Sequence, residues 1–168
     1  STQHNDLNSF LQYAKSNGTS QTSTVYVGTL YEYTVIESMK RFGFDLTRTG
    51  KASDLGIDLL GHWTVPSLPV PIRTLVQCKA RSKKLRPENV RELEGAFSGA
   101  PAGWRGDGVL GFLVAAESAT KGMRDALVRS KWPLGFLQVS RGGAVEQFLW
   151  NHSAAEKGLE GMGVTAKY

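Results

Sequence analysis

Residues 75 to 79, Leu-Val-Gln-Cys-Lys, set a side-chain amide and an ammonium two positions apart. In a β-strand that spacing puts Gln77 and Lys79 on one face and Val76 and Cys78 on the other. An amide oxygen and a cation leaving a sheet together suit a metal ion and a phosphate. Phosphodiester hydrolysis needs a hard cation on the phosphate oxygens, a positioned water, and positive charge where negative charge builds up. Asp58 can bind Mg²⁺ or Mn²⁺ directly, Gln77 can offer its amide oxygen, and the Cys78 backbone carbonyl can complete the protein side of an octahedral shell. Glu32 can join through a water, and Lys79 can orient the attacking water and meet the developing charge.

Those residues must be delivered by separate elements. Ser23 or Thr24 can cap a helix whose apolar positions Val27, Leu30, Tyr31, Val35, Met39 and Phe42 recur at helical spacing until Gly43. Glu32 falls on the same side as Val35, Ile36 and Met39, so it either pairs with an arginine at the edge of the core or reaches into the site. Asp45 to Thr49 and Gly56 to Trp63 read as a β-hairpin joined by the turn-rich Gly50 to Asp54. Strict alternation sets the Asp58 side chain opposite Ile57 and Leu59, on the face of Leu60 and His62. Asp54 lies in the turn and is expected to order it. A proline-containing loop leads to a third strand, Ile72 to Ala80.

Just beyond, Lys79, Arg81, Lys83, Lys84 and Arg86 place five of the 20 basic residues within eight positions. Arg81, Lys83, Lys84 and Arg86 are expected to bind nucleic acid. Pro87 suits the first turn of a helix through Val90, Leu93 and Phe97. Trp104 and Arg105, in a glycine-rich loop, are expected to cover the core rather than stack on a base. Val109 to Ala116, Thr120 to Lys131 and Leu134 to Val139 read as strand, helix and strand, a parallel pair with a crossover helix. Val145 to Trp150 is a last strand or a short helix. Residues 1–22 read as a polar extension with a short helix, 23–150 as one domain, and 151–168 as a polar tail.

Composition narrows the function further. With 40% hydrophobic and 21% charged residues the chain is ordinary for a soluble domain. A net charge of +5 and a pI near 9.4 are compatible with an acidic partner such as nucleic acid. The one cysteine excludes an internal disulfide framework and a cysteine zinc cluster, and it reads as a small core residue. His4, His62 and His152 lack zinc spacing. No serine sits in a Gly-x-Ser-x-Gly elbow, and no phosphate-binding glycine loop precedes a lysine. No apolar run approaches the roughly 20 residues of a membrane span, so no membrane partner is expected.

Tyr31-Glu32, Gly56-Ile57-Asp58 and Gln77-Cys78-Lys79 together resemble the PD-(D/E)XK nuclease superfamily, in particular its Mrr-like restriction endonuclease branch, where glutamine replaces the second acidic residue. The resemblance is closer still to fungal mitochondrial proteins named as required for respiratory growth. It rests on Ser23-Thr24-Val25, Gly28, Leu30 to Val35, Thr49-Gly50, Gly61 with Trp63, Leu75 to Ala80, and Arg91-Glu92-Leu93 with Gly95. It implies an α/β restriction endonuclease-like core, a mixed central sheet flanked by helices, in a protein of the mitochondrial matrix. It also implies a metal-dependent nuclease using Glu32, Asp58, Gln77 and Lys79. Ile57 stands where the superfamily's name has proline, and Gln77 makes the site less negative.

The leading expectation is therefore a Mg²⁺- or Mn²⁺-dependent endonuclease on DNA, including structured or branched mitochondrial DNA, with RNA left open as a substrate. A homodimer would suit cutting of both strands. The alternatives are a catalytically silent module that binds DNA or RNA through the basic run, and a mitochondrial assembly or gene-expression factor whose partner is protein, since folds of this kind also serve without catalysis.

Overall fold

The computed structural model describes residues 3–49, 56–106 and 108–159. Its central strand is apolar at every position because both of its faces are covered: β4, Val109–Ala115, is buried throughout. Around it stand β1 (Phe44–Arg48), β2 (Leu59–Trp63), β3 (Ile72–Lys79), β5 (Leu134–Val139) and β6 (Val145–Trp150), in the spatial order β1-β2-β3-β4-β5-β6. β2 runs antiparallel to both of its neighbours, β1 and β3; β3, β4 and β5 are parallel, and β6 returns antiparallel. The fold is α/β, a mixed sheet flanked by helices, as the sequence predicts. The hairpin and the parallel β4–β5 pair are both present, and 145 to 150 is a strand.

α2, Thr24–Lys40, is started by Ser23, whose hydroxyl accepts from the Tyr26 N–H at 3.1 Å. Gly43 follows it with φ +95°, and a Cβ there would lie 2.7 Å from the Thr64 carbonyl oxygen. The chain can turn this tightly into β1 only without a side chain. Tyr31, Val35 and Met39 of α2 pack on one face of the sheet with Phe44, Leu59, Trp63, Val76 and Phe112. α3 (Pro87–Ser98) and α4 (Lys121–Arg129) are the two crossover helices. Through Val90, Leu93, Phe97, Met123 and Leu127 they cover the other face with Leu75, Leu113 and Phe136. Trp104 packs against that second cluster, as expected of a core cover.

α1, Leu7–Ser16, is held to α2 by rings: Phe10 lies 5.4 Å from Tyr26 and 5.7 Å from Tyr33, and the His4 ring nitrogen bonds the Tyr33 hydroxyl at 2.7 Å. At the other end, residues 151 to 159, expected as the start of a tail, instead form part of the packed structure. A short helix, α5 (His152–Ala154), runs into a wider turn at Ala155–Leu159, and Ala154 and Leu159 are buried. Asn151 anchors this segment. Its Oδ1 accepts from the N–H groups of Leu134 and Ala154, and its Nδ2 donates to the carbonyls of Leu127 and Trp132. The Gly50 to Asp54 turn, with Asp54, and the tail from 160 onward lie outside the described residues.

Candidate active site

β2 and β3 pair as far as Leu59 opposite Val76. One residue earlier the ladder changes character. The Asp58 N–H still donates to the Val76 carbonyl at 2.9 Å, but the next hydrogen bond comes from a side chain: Asp58 Oδ2 accepts from the Cys78 N–H at 2.7 Å. A carboxylate thus takes the place of a backbone carbonyl where the two strands part. Ile57 packs in the cluster facing α3 and α4, whereas Leu59 packs in the cluster facing α2. The alternation expected from Ile57 to Leu59 is therefore broken at Asp58, and its carboxylate lies along the strand edge beside Cys78, held by the Cys78 N–H.

β3 keeps its alternation. Val76 and Cys78 belong to the cluster facing α2, as expected. On the opposite side Lys79 Nζ meets Glu92 Oε2 of α3 at 3.2 Å, with both side chains partly solvated. Gln77 is 3% exposed. Gly56 covers it with φ +76°, and a Cβ there would fall 2.8 Å from Gln77 Nε2. Glu32 comes from α2, on the other side of the sheet. Its Oε1 accepts from Arg48 Nε at 2.8 Å, and the Arg48 guanidinium lies 5.1 Å from the centre of the Tyr33 ring. The arginine pairing anticipated for an edge glutamate is thus present, together with proximity to the site.

Electrostatics ties these groups together. Burial pushes the Asp58 carboxyl up to about 6. The Cys78 N–H pulls the other way, the Glu32 charge adds to the rise, and Lys79 and Arg48 lower it. Glu32, Lys79 and Arg48 are thus all close enough to act on Asp58. Burial, then Asp58 and Glu32, push the Cys78 thiol well up, which favours its neutral form. Burial opposes the Arg48 charge, but its bonds to Glu32 and Tyr33 outweigh this, and the guanidinium is held more firmly protonated.

Among the described residues, no three His, Cys, Asp or Glu side chains gather as a metal-binding group. The donors present are instead a carboxylate, an amide and a backbone carbonyl, with a second carboxylate nearby. An all-oxygen set of this kind fits a hard cation such as Mg²⁺ or Mn²⁺, and one carboxylate fewer leaves it less negative.

A cleft of about 1030 Å³ adjoins the site through Cys78 and Lys79. It lies between the starts of α2 and α3. Arg81, Lys83, Lys84 and Arg86 all line it and are all exposed, so the predicted basic run does share one concave surface. Asp58, Glu32 and Gln77 stand outside its lining.

The profile of the family described as Required for respiratory growth protein 7 matches residues 23–70 and 67–168. This chain belongs to that family. It is 35% identical over 155 residues to an uncharacterized mitochondrial protein of Schizosaccharomyces pombe, a match covering 90% of this chain and 61% of the relative. It is 28% identical over 169 residues to the mitochondrial Required for respiratory growth protein 7 of Saccharomyces cerevisiae, covering 76% of this chain and 70% of the relative. The chain thus spans about 61% of the length of the S. pombe relative. These family members are named mitochondrial, and the chain is a mitochondrial protein. Among solved structures, the MspJI restriction endonuclease in complex with a 27-mer oligonucleotide aligns over 77% of this chain and 28% of its own, at 14% identity and a TM-score of 0.44. That likeness is too slight to argue from.

Three site neighbours escape the sequence reading. Arg48 pairs with Glu32, and Glu92 with Lys79. Arg141 also lines the cleft and donates from Nη2 to the Ala80 carbonyl at 3.0 Å. Arg48 and Glu92 carry a detectable signal, being charges in elements next to the site. Arg141 sits in the β5–β6 turn, and only the strand order brings it near.

Proposed function

We propose that this chain is a Mg²⁺- or Mn²⁺-dependent nuclease of the mitochondrial matrix, hydrolysing phosphodiester bonds of DNA on a restriction endonuclease-like core of the PD-(D/E)XK kind. One observation carries the reading: a half-buried carboxylate, Asp58, is fixed by the Cys78 N–H at 2.7 Å within electrostatic reach of Glu32 and Lys79. The adjoining basic cleft supports it.

Asp58, the Gln77 amide oxygen and the Cys78 carbonyl would hold the cation, with Glu32 joining through a water. When bound, the ion supplies charge neutralisation at a phosphate oxygen and makes a bound water more acidic. Lys79, approached from the α3 side, orients the attacking water and stabilises negative charge on the five-coordinate phosphorus. Glu92 restrains Lys79, and Arg48 restrains Glu32. Arg81, Lys83, Lys84 and Arg86 hold flanking phosphates. A homodimer would supply a second site for the second strand.

The test is cleavage of single-stranded, duplex and branched DNA, and of RNA, with Mg²⁺, Mn²⁺ or a chelator. Metal-dependent cutting that Asp58→Asn abolishes is the expected result; cutting unchanged in Asp58→Asn overturns this active site.

One observation favours a second reading. Glu32 and Lys79 are each already ion-paired within the chain, while the cleft stays basic and open. A silent nucleic-acid-binding module, serving mitochondrial gene expression, would have the same appearance. Salt-sensitive binding without cutting under any metal would establish it.

A further inference from the structure

A second, shallower cleft of about 700 Å³ begins where the first one ends. Glu37 and Lys40 of α2 and Arg41 just after it line it, together with Gly142 and Gly143 of the β5–β6 turn, and Arg141 lines both clefts. Eight basic and three acidic side chains border the pair. The excess of five equals the net charge of the entire chain, so the remaining charges sum to zero.

The junction is built rather than loose. Ser38 Oγ and Arg41 Nη2 both donate to the Gly143 carbonyl, at 2.8 and 2.7 Å, fixing the turn to α2. Arg141 Nη2 donates to the Ala80 carbonyl at 3.0 Å, fixing the same turn to the end of β3, one residue beyond Lys79. An exposed guanidinium has five N–H donors, and such an anchored one keeps the rest for an incoming oxyanion.

We propose that the nucleic-acid path does not end in the first cleft but crosses the β5–β6 turn at Arg141 and continues along the second cleft to Lys40. Phosphates of one strand would be held successively by the basic run after β3, by Arg141, and by the end of α2. This rests on the nucleic-acid part of the function proposed above and adds its footprint. Each of the two clefts is concave and Arg141 borders both, which fits a strand laid from one into the other. A membrane would favour a convex face with several large apolar side chains, and among the described residues none of the exposed ones lines either cleft.

The experiment measures binding of single-stranded DNA of roughly four and roughly 16 nucleotides across a salt series, to the intact chain and to Lys40→Glu, Arg141→Glu and Lys83→Ala/Lys84→Ala. Thermal unfolding checks that each variant folds. Lys40→Glu keeps the test decisive should Arg141→Glu disturb the turn. The expected result is that Lys40→Glu and Arg141→Glu weaken binding of the longer strand about tenfold and lower its salt slope by about 1, that Lys40→Glu leaves the shorter strand unchanged, and that Lys83→Ala/Lys84→Ala weakens both. If only Lys83→Ala/Lys84→Ala weakens binding, the path ends in the first cleft and this inference fails while the nucleic-acid reading stands. Absence of DNA binding by the parent chain at low salt would defeat both. Vesicles containing anionic phospholipid that bind more tightly than DNA, with Lys40→Glu weakening them, would assign the track to a membrane and overturn the proposal.

Discussion

Asp58 Oδ2 accepts the Cys78 N–H at 2.7 Å, in the position where the antiparallel ladder would otherwise place a backbone carbonyl. One hydrogen bond thereby does two things. It satisfies an N–H at the point where β2 and β3 separate, and it fixes a carboxylate against Cys78 within electrostatic reach of Lys79. The cost is burial of a negative charge near another one, Glu32, and it shows in the carboxyl being pushed up to about 6.

That shift gives a stability profile of known sign. Asp58 binds its proton more tightly in the folded chain than in the unfolded one, where its value is 3.8. The stabilisation from proton uptake is fully present below about pH 4, falls as pH rises through the folded value of about 6, and is gone above it. In metal-free protein, stability should drop by about 1 to 2 kcal/mol between pH 4 and 7 on account of this group. Asp58→Asn keeps an oxygen for the Cys78 N–H, so it should flatten that decline and raise stability at pH 7 to 8. Urea unfolding of both proteins at pH 4, 5, 6 and 7.5 is the measurement, and parallel profiles would refute it.

Glu32 and Arg48 are each largely buried, with side chains 18% and 17% exposed. Removing either partner leaves the other charge poorly solvated. Arg48→Ala also loses contact with the Tyr33 ring. Each single alanine variant should cost about 2 kcal/mol, and the double variant should cost less than their sum by about 1 to 2 kcal/mol. A double-mutant cycle by urea unfolding reads this directly; additive losses would mean that the pair is not coupled.

Lys79 and Glu92 form a pair of a different kind. Their side chains are 38% and 52% exposed, so Glu92→Gln should alter stability by under about 0.5 kcal/mol. Under the proposed mechanism Lys79→Ala should abolish cleavage, by about 10³-fold, while weakening DNA binding only slightly. Single-turnover cleavage alongside direct binding separates the effects. An equal fall in both would make Lys79 a binding residue only.

How far the sequence carries can be read from particular residues. The continuous apolar run Val109 to Ala115 and the helical stripe Tyr31, Val35, Met39 revealed a covered central strand and its covering helix, because burial on both faces or on one leaves a plain pattern. Gln77 and Lys79 on one face of β3 followed from the same logic. Asp58 did not, since Ile57 and Leu59 go to opposite clusters where the ladder ends, and alternation has no means of announcing its own interruption. Glu32 showed why two readings of one residue can both hold: the side of the helix is legible, but the arginine it meets is fixed by how β1 packs on α2. Arg141 is 61 residues from Ala80, whose carbonyl it meets beside the basic run, and only the parallel order of β3, β4 and β5 places it there.

Asn151 was hidden for another reason. A polar, glycine-rich segment reads as a tail when apolar periodicity is the signal, yet here the anchor is a single amide. At 3% exposure Asn151 uses its oxygen on the Leu134 and Ala154 N–H groups and its nitrogen on the Leu127 and Trp132 carbonyls. It thereby joins the end of α4, the start of β5 and the first turn of α5. Asn151→Ala takes a partner from the Leu134 and Ala154 N–H groups and from the Leu127 and Trp132 carbonyls, of which Leu127 keeps the Ser130 N–H, and should cost about 2 to 3 kcal/mol. Asn151→Asp keeps the acceptor but loses both donors and sets a carboxylate against two carbonyls, so it should cost more at pH 7 than at pH 4. Urea unfolding at both pH values, with limited proteolysis of residues 151 to 159, measures this. Stability within about 0.5 kcal/mol of the parent for Asn151→Ala, together with unchanged proteolysis, would show that the segment rests on the fold without being part of its cooperative unit.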